Sequence, residues 1–431
     1  MKSFLVIIFL FFTYNFSYAA TDLIFFLEAA HKNNPKLNAE RKNFKATKEN
    51  INISRSEFLP SVSVSGDIDS SQSTNKTDQS GSSIADSNLD TETKKISVDQ
   101  KIFQGFQGYN SLKKSELETK KANFKLREVE QSVIFDAASV YLDFIYKTKS
   151  KEFNLANVDL LERQVESDSA RAQRGEITLT DLAQSESSLA GARADYIISE
   201  TELLTTIANF ERIITTSVPK EIEENFNLNI NLPNNLDEAL DLSEKNNPKL
   251  IIAKLEYEIS KRKLNIEKGE LSPSASINYS KSETTDLSST VDKTDKESVK
   301  ATITWPIIKG GKNYSSIKKQ KLKKEQQNLI LKDTRNEVNT NTANAWSLYQ
   351  SSESVLKATQ SQVKAAEIAN EGITLEYDSG NNRTTLEVVQ SRSLLLNARI
   401  AHAKAERDFV ISKFRLLGEI GSLSLENIKK S

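Results

Sequence analysis

Few residues in this chain could carry out chemistry. Cysteine is absent. That excludes disulfides, zinc–thiolate sites, a cysteine nucleophile and a lipid-modified N-terminal cysteine. Histidine occurs only as His31 and His402, too few for a histidine-rich metal site. His402 falls on a heptad seam and reads as a core or interface residue. Gly310-Gly311-Lys312 comes nearest to a phosphate-binding loop, but the preceding glycine spacing and the following Ser/Thr are missing. It reads as a strand-to-helix turn. Lys+Arg number 58 against 59 Asp+Glu, so no bulk basic charge points to nucleic acid. The chain is expected to be no enzyme, with no cofactor and no resident metal.

The elements explain more than the reactive groups do. Glycine is 13 and proline 7 of 431 residues, which implies long uninterrupted elements. Hydrophobic residues at 37% and charged residues at 27% suit long helices with a narrow apolar seam. Residues 1–19 read as a cleaved signal peptide: Lys2, an apolar Phe4 to Phe12, then Ser17 and Ala19 before the cut. No later stretch has the ~18–20 apolar residues of a membrane helix, so any membrane-spanning part must be a closed β-barrel.

The chain is a tandem duplication. Lys32-Asn33-Asn34-Pro35-Lys36-Leu37 recurs as Lys245-Asn246-Asn247-Pro248-Lys249-Leu250. Glu57 and Pro60 match Glu270 and Pro273, Tyr141 matches Trp346, and Ala192-Arg193 matches Ala398-Arg399. The repeats span 20–214 and 234–431, with a linker at 215–233. Each begins with two short helices, broken at Pro35 or Pro248 and stopped at Pro60 or Pro273.

Two alternating runs follow in each half, bounding β-hairpins at about 61–103 and 274–307. Val62, Val64 and Ile68 share one parity, as do Ala275, Ile277 and Tyr279. Polar loops are expected at Ser73 to Asp90 and Ser282 to Lys296. Runs of about ten residues with one apolar face fit membrane β-strands or half-buried strands of a soluble sheet, and two matching hairpins with no other strands to pair with favour the barrel. Long helical hairpins come next, at about 108–214 and 312–417. Their first arms, about 66 residues each, would extend roughly 100 Å. Gly105 and Gly310 mark the strand-to-helix turns; Gly175 and Gly380 mark the far hairpin turns. Leu182, Leu189, Tyr196, Leu203 and Phe210 step by seven, beside a small-residue stripe of Ser185, Ala192 and Ser199. Such repeats supercoil left-handedly. Four strands cannot close a barrel, so strands in lipid would demand oligomerisation.

In order and duplication, these features resemble the TolC family of outer-membrane efflux and type I secretion channels. The matching motifs are Asn34-Pro35, Asn247-Pro248, Glu57-Phe58-Leu59-Pro60, Phe103-Gln104-Gly105 and Tyr377-Asp378-Ser379-Gly380 with Thr384 to Gln390. The resemblance implies a mainly α fold with a β part. Four strands per chain would join a shared twelve-stranded barrel in a homotrimer, above a helical tunnel through the periplasm. Outer-membrane lipid, a periplasmic adaptor and an inner-membrane transporter of ABC, RND or MFS type are the implied partners. It also implies a periplasmic gate: Asp181 and Tyr377 as hydrogen-bonding partners, Arg383 as the arginine, Thr180 offering a carbonyl. An extra residue among Asn381 and Asn382 lengthens Arg383's turn. Glu387 would form an acidic ring favouring cations; Gln390, at a second such position, is neutral. The alternatives are a periplasmic adaptor or a structural coiled-coil protein of the envelope. Two long hairpins and almost no glycine argue against the adaptor. The duplicated β-hairpins argue against the coiled coil.

Overall fold

The structure, a computed structural model, describes residues 23–218, 231–288, 291–379 and 383–429. The expected signal segment 1–19, most of the linker, and Gly380 with Asn381 and Asn382 lie outside the described residues. The first repeat forms α1 (Leu23–Asn33), α2 (Pro35–Ser56), β1 (Ser61–Ser73), β2 (Lys76–Thr77), β3 (Ser83–Ile84), β4 (Ser87–Gln104), α3 (Gln107–Gln173) and α4 (Leu179–Ile214). The second forms α5 (Leu236–Asn246), α6 (Pro248–Gly269), β5 (Ser274–Ser288), β6 (Val291–Thr304), α7 (Lys312–Asp378), α8 (Thr385–Glu419) and the short α9 (Leu425–Lys429).

The chain divides into two compact units, each built from both repeats. One holds residues up to 38, 130–243 and 341–431; the other holds 39–129 and 244–340. No helix among the described residues is long and apolar enough to cross a membrane.

In the helical unit, the core is aromatic where helices converge. Phe26 packs on Tyr141 and Phe210 at ring distances of 5.3 and 5.2 Å, and Tyr349 stacks on Phe409 at 6.0 Å. The Asn-Pro motif has a local physical cause. Asn34 accepts from the backbone N–H groups of Lys36 and Leu37 at 3.0 and 3.3 Å, capping α2, while Pro35 fills the first helical position. Its amide also donates to the Ile213 carbonyl at 2.9 Å, tying this cap to the end of α4. In the other repeat Asn247 caps α6 in the same way.

In the other unit, β1, β4, β5 and β6 form one antiparallel sheet in the order β1-β4-β5-β6. The two hairpins are thus joined by β4–β5 pairing, with β1 and β6 at the edges. One face is apolar and bare: Val64, Ile68 and Ile303 are 76%, 83% and 78% exposed. Val62, Val98, Tyr279 and Val299 lie in one cross-strand row on that face. The opposite face is a hydroxyl ladder. Ser63 meets Ser97 at 2.8 Å, Ser280 meets Ser298 at 3.0 Å, Thr93 meets Thr284 at 3.2 Å, and Asn278 donates to Asp99 at 2.6 Å.

The expected polar loops are largely strand. β4 already begins at Ser87, β5 runs to Ser288 and β6 starts at Val291. Cross-strand polar pairs such as Lys293 with Glu283 at 3.0 Å carry the ladder past the apolar band. The alternation of apolar residues could not reveal strands whose two faces are both polar.

At the foot of β4 the chain turns sharply. Gly105 adopts φ +58, and a Cβ there would lie 2.4 Å from the Gly269 carbonyl oxygen at the end of α6. Gly105→Ala adds a clash to a left-handed conformation that costs a non-glycine residue about 1–2 kcal/mol. We expect a melting temperature several degrees lower, with Gly66→Ala, which meets nothing within 4 Å, as the silent control. Equal melting of the two variants would refute the close approach.

Candidate functional site: a polar hub between the helical hairpins

In the helical unit, the α3–α4 hairpin turns at Gly175, whose φ of +74 suits a residue without a side chain. The Glu176 N–H reaches back to the Arg171 carbonyl at 2.9 Å and closes the turn. Thr178 then caps α4, and Asp181 completes a capping box. The second hairpin repeats this chemistry, with Thr384 as cap and Glu387 as its partner.

The carboxylates expected at a gate are therefore turned onto their own helices. Asp181 accepts from the Thr178 backbone N–H at 3.0 Å and from its hydroxyl at 2.7 Å. The Thr178 hydroxyl and N–H hold its pKa below the ordinary value. Among the described residues, no hydrogen bond or ion pair joins Asp181 to Tyr377 or Arg383. Thr180 is exposed on the first turn of α4. Arg383 bonds Glu376 at 2.6 Å and Glu387 at 2.9 Å, so Glu387 already has a cation beside it. The Thr384 N–H first, then Arg383, hold Glu387's pKa down. Gly310 and Gly105 sit in the other unit at the strand-to-helix turns, both with positive φ.

Tyr377 stands elsewhere, in a cluster centred on Asp168 of α3. Asp168 is 0% exposed. A carboxylate so buried needs donors, and three converge on it. Gln164 donates to one oxygen at 2.9 Å and Ser185 of α4 to the other at 2.6 Å. The Tyr377 hydroxyl of α7 donates to the first at 3.3 Å. Arg171 donates to the Tyr377 hydroxyl, with its guanidinium 4.9 Å from the ring centre. Thr385 of α8 lies 3.1 Å from the same hydroxyl. Arg392, also on α8, donates to Gln164 at 3.2 Å. Burial lowers the Arg392 pKa, opposed by the charges of Asp378 and Asp168. The cluster thus ties all four long helices of the two hairpins, α3, α4 and α7 at the carboxylate itself and α8 through Tyr377 and Gln164.

Sequence reasoning places Tyr377 in a hydrogen-bonding role but overlooks Asp168, Arg171, Gln164 and Arg392. A weak signal existed: Gln164, Asp168 and Arg171 are spaced four and three apart, one polar face on a heptad-patterned helix. Ser185 appeared only as a member of the small-residue stripe. Its hydrogen bonds hold the two hairpins together.

Comparison with known proteins gives a consistent result. The sequence profile described as outer membrane efflux protein matches residues 26–215 and 239–422. The chain is 25% identical over 403 residues to the outer membrane efflux protein BepC of Brucella suis, covering 93% of this chain and 86% of that one. A membrane protein from Pseudomonas aeruginosa superposes with a TM-score of 0.83 at 13% identity, covering 94% of this chain and 92% of that one. The Campylobacter jejuni CmeC outer membrane channel superposes at 0.82 with 14% identity, covering 95% and 88%.

Asp181 and Glu387 titrate below their ordinary values in the folded chain. Their stabilising contribution is therefore complete above the usual range of ~3.9–4.3 and is lost as pH falls through the lowered folded values. Amide protection in the first turns of α4 and α8, corrected for intrinsic exchange, should fall between pH 6 and pH 3. Equal protection at both would refute the capping role.

Proposed function

Because the chain belongs to the outer membrane efflux protein family, it is an outer-membrane exit duct for efflux or secretion, and we propose that it acts as a passive homotrimer whose entrance is latched at Asp168. The observation that carries this reading is the open sheet. Four strands expose an apolar face, keep a hydroxyl face, and end in two unpaired edges. In lipid such edges must pair, and further copies of the chain supply the missing strands. Three copies give the twelve strands that the sequence resemblance implies. The apolar face then meets lipid, and the hydroxyl face lines the pore.

Signal-directed export brings the chain to the outer membrane, with the helical hairpins in the periplasm. A periplasmic adaptor and an inner-membrane transporter select the cargo and drive it. The duct itself catalyses nothing. Opening separates the α3–α4 hairpin from the α7–α8 hairpin, which breaks the contacts of Tyr377 with Asp168 and Arg171. Each such bond contributes about 0.5–1.5 kcal/mol. Three copies hold a closed state that adaptor binding can shift.

Purified protein from the outer-membrane fraction should run as a heat-sensitive trimer and form small, long-lived conductance steps in planar bilayers. Tyr377→Phe with Arg171→Ser should raise the conductance severalfold, and Arg383→Ser alone much less. The opposite ranking would move the latch to Arg383. Monomer in the soluble periplasm would overturn the duct altogether.

A further inference from the structure

The near-neutral total charge hides a strong separation. In the sheet-bearing unit, segments 39–56, 107–129, 248–269 and 312–340 carry five, six, six and eight Lys/Arg. Against these stand two, three, three and three Asp/Glu, 25 basic to 11 acidic, in a chain of 58 to 59. On α3 and α6 several of these cations are answered: Lys113 pairs with Glu116, Lys121 with Glu256, and Lys125 with Glu128. The start of α7 is different. Among the described residues, Lys309, Lys312, Lys318, Lys319, Lys321 and Lys323 have no ion-pair partner, and all are exposed. Several stand three or four apart, where like charges repel on a helix. Glu325, four residues after Lys321, is the nearest acidic residue along α7 and forms no ion pair with it, so an external anion would relieve the repulsion.

Lys309 and Lys312 share a cavity of about 590 Å³ with Lys101 of β4, where the strands meet the helices. Ser276 and Thr304, both on the hydroxyl face of the sheet, are in its wall, and Glu270 is the one carboxylate there. Lys319 and Lys323 follow Lys312 by seven and eleven residues, on the same side of α7. A cationic stripe therefore continues the hydroxyl face down the first turns of the helix.

We infer that this cavity and stripe bind anionic solutes, molecules carrying carboxylate or phosphate groups, inside the duct at the junction of sheet and helices. The inference rests on the reading above that the hydroxyl face lines the pore. Each chain contributes three ammonium groups and one carboxylate to the cavity, and low-dielectric walls focus that field on the passing solute. The duct thus prefers anionic cargo at this level.

The test is single-channel recording with potassium citrate as the probe, added from the strand side. Wild type is compared with the triple variants K101Q/K309Q/K312Q and K101R/K309R/K312R. The Gln variant should shift the reversal potential in a KCl gradient toward cations and raise the half-blocking citrate concentration about tenfold or more. The Arg variant should keep the block, and high salt should abolish it. Gln-variant channels of normal conductance with unchanged reversal potential and block would overturn the anion site and leave the duct intact. Failure of well-folded wild type to form any channel would overturn the duct reading, and the site with it.

Discussion

The whole arrangement depends on backbone hydrogen bonds that one chain cannot make for itself. The sheet is four strands wide and offers bare N–H and C=O groups along β1 and β6. In water such edges are a hazard; in hydrocarbon they are intolerable, because no solvent can satisfy them. The long helices face a milder form of the same constraint. Their apolar seams are narrow, and residues such as Ile197, Leu204 and Ile368 remain exposed. Sheet and helices both present surface that further copies of the chain would cover.

Within the helical unit, polar chemistry is used sparingly and for holding. The hub at Asp168 is buried and served by three donors from three helices. Capping boxes at Thr178 and Thr384 fix where α4 and α8 begin. Tyr377 then meets Asp168, and Thr385 meets the Tyr377 hydroxyl. Fixed helix starts and a separable contact between hairpins are what a latch requires.

Much of this was legible from local pattern. The Asn-Pro breaks, the strand alternation and the heptad seams each involve neighbours in sequence, and the long helices fall within a few residues of their expected limits. The strands beyond the apolar band were hidden because Ser87 to Asp90 and Ser282 to Ser288 have no apolar parity. The hub was hidden for another reason. Asp168 meets Tyr377 from 209 positions away, and nothing in either residue's surroundings announces the other. The capping boxes, by contrast, are visible as Thr-x-x-Asp and Thr-x-x-Glu.

The duplication is faithful in its scaffold and unfaithful in its hub. Thr178 and Asp181 have counterparts in Thr384 and Glu387, and Ser185 in Ser391. Asp168, by the register that pairs Tyr141 with Trp346, falls opposite Ile373. A ring of three chains would present six near-equivalent hairpins but only three carboxylate hubs. Such a wall would have sixfold shape and threefold chemistry. The hub would fasten the two hairpins of each chain, three times around the ring, with no carboxylate at the matching position, Ile373.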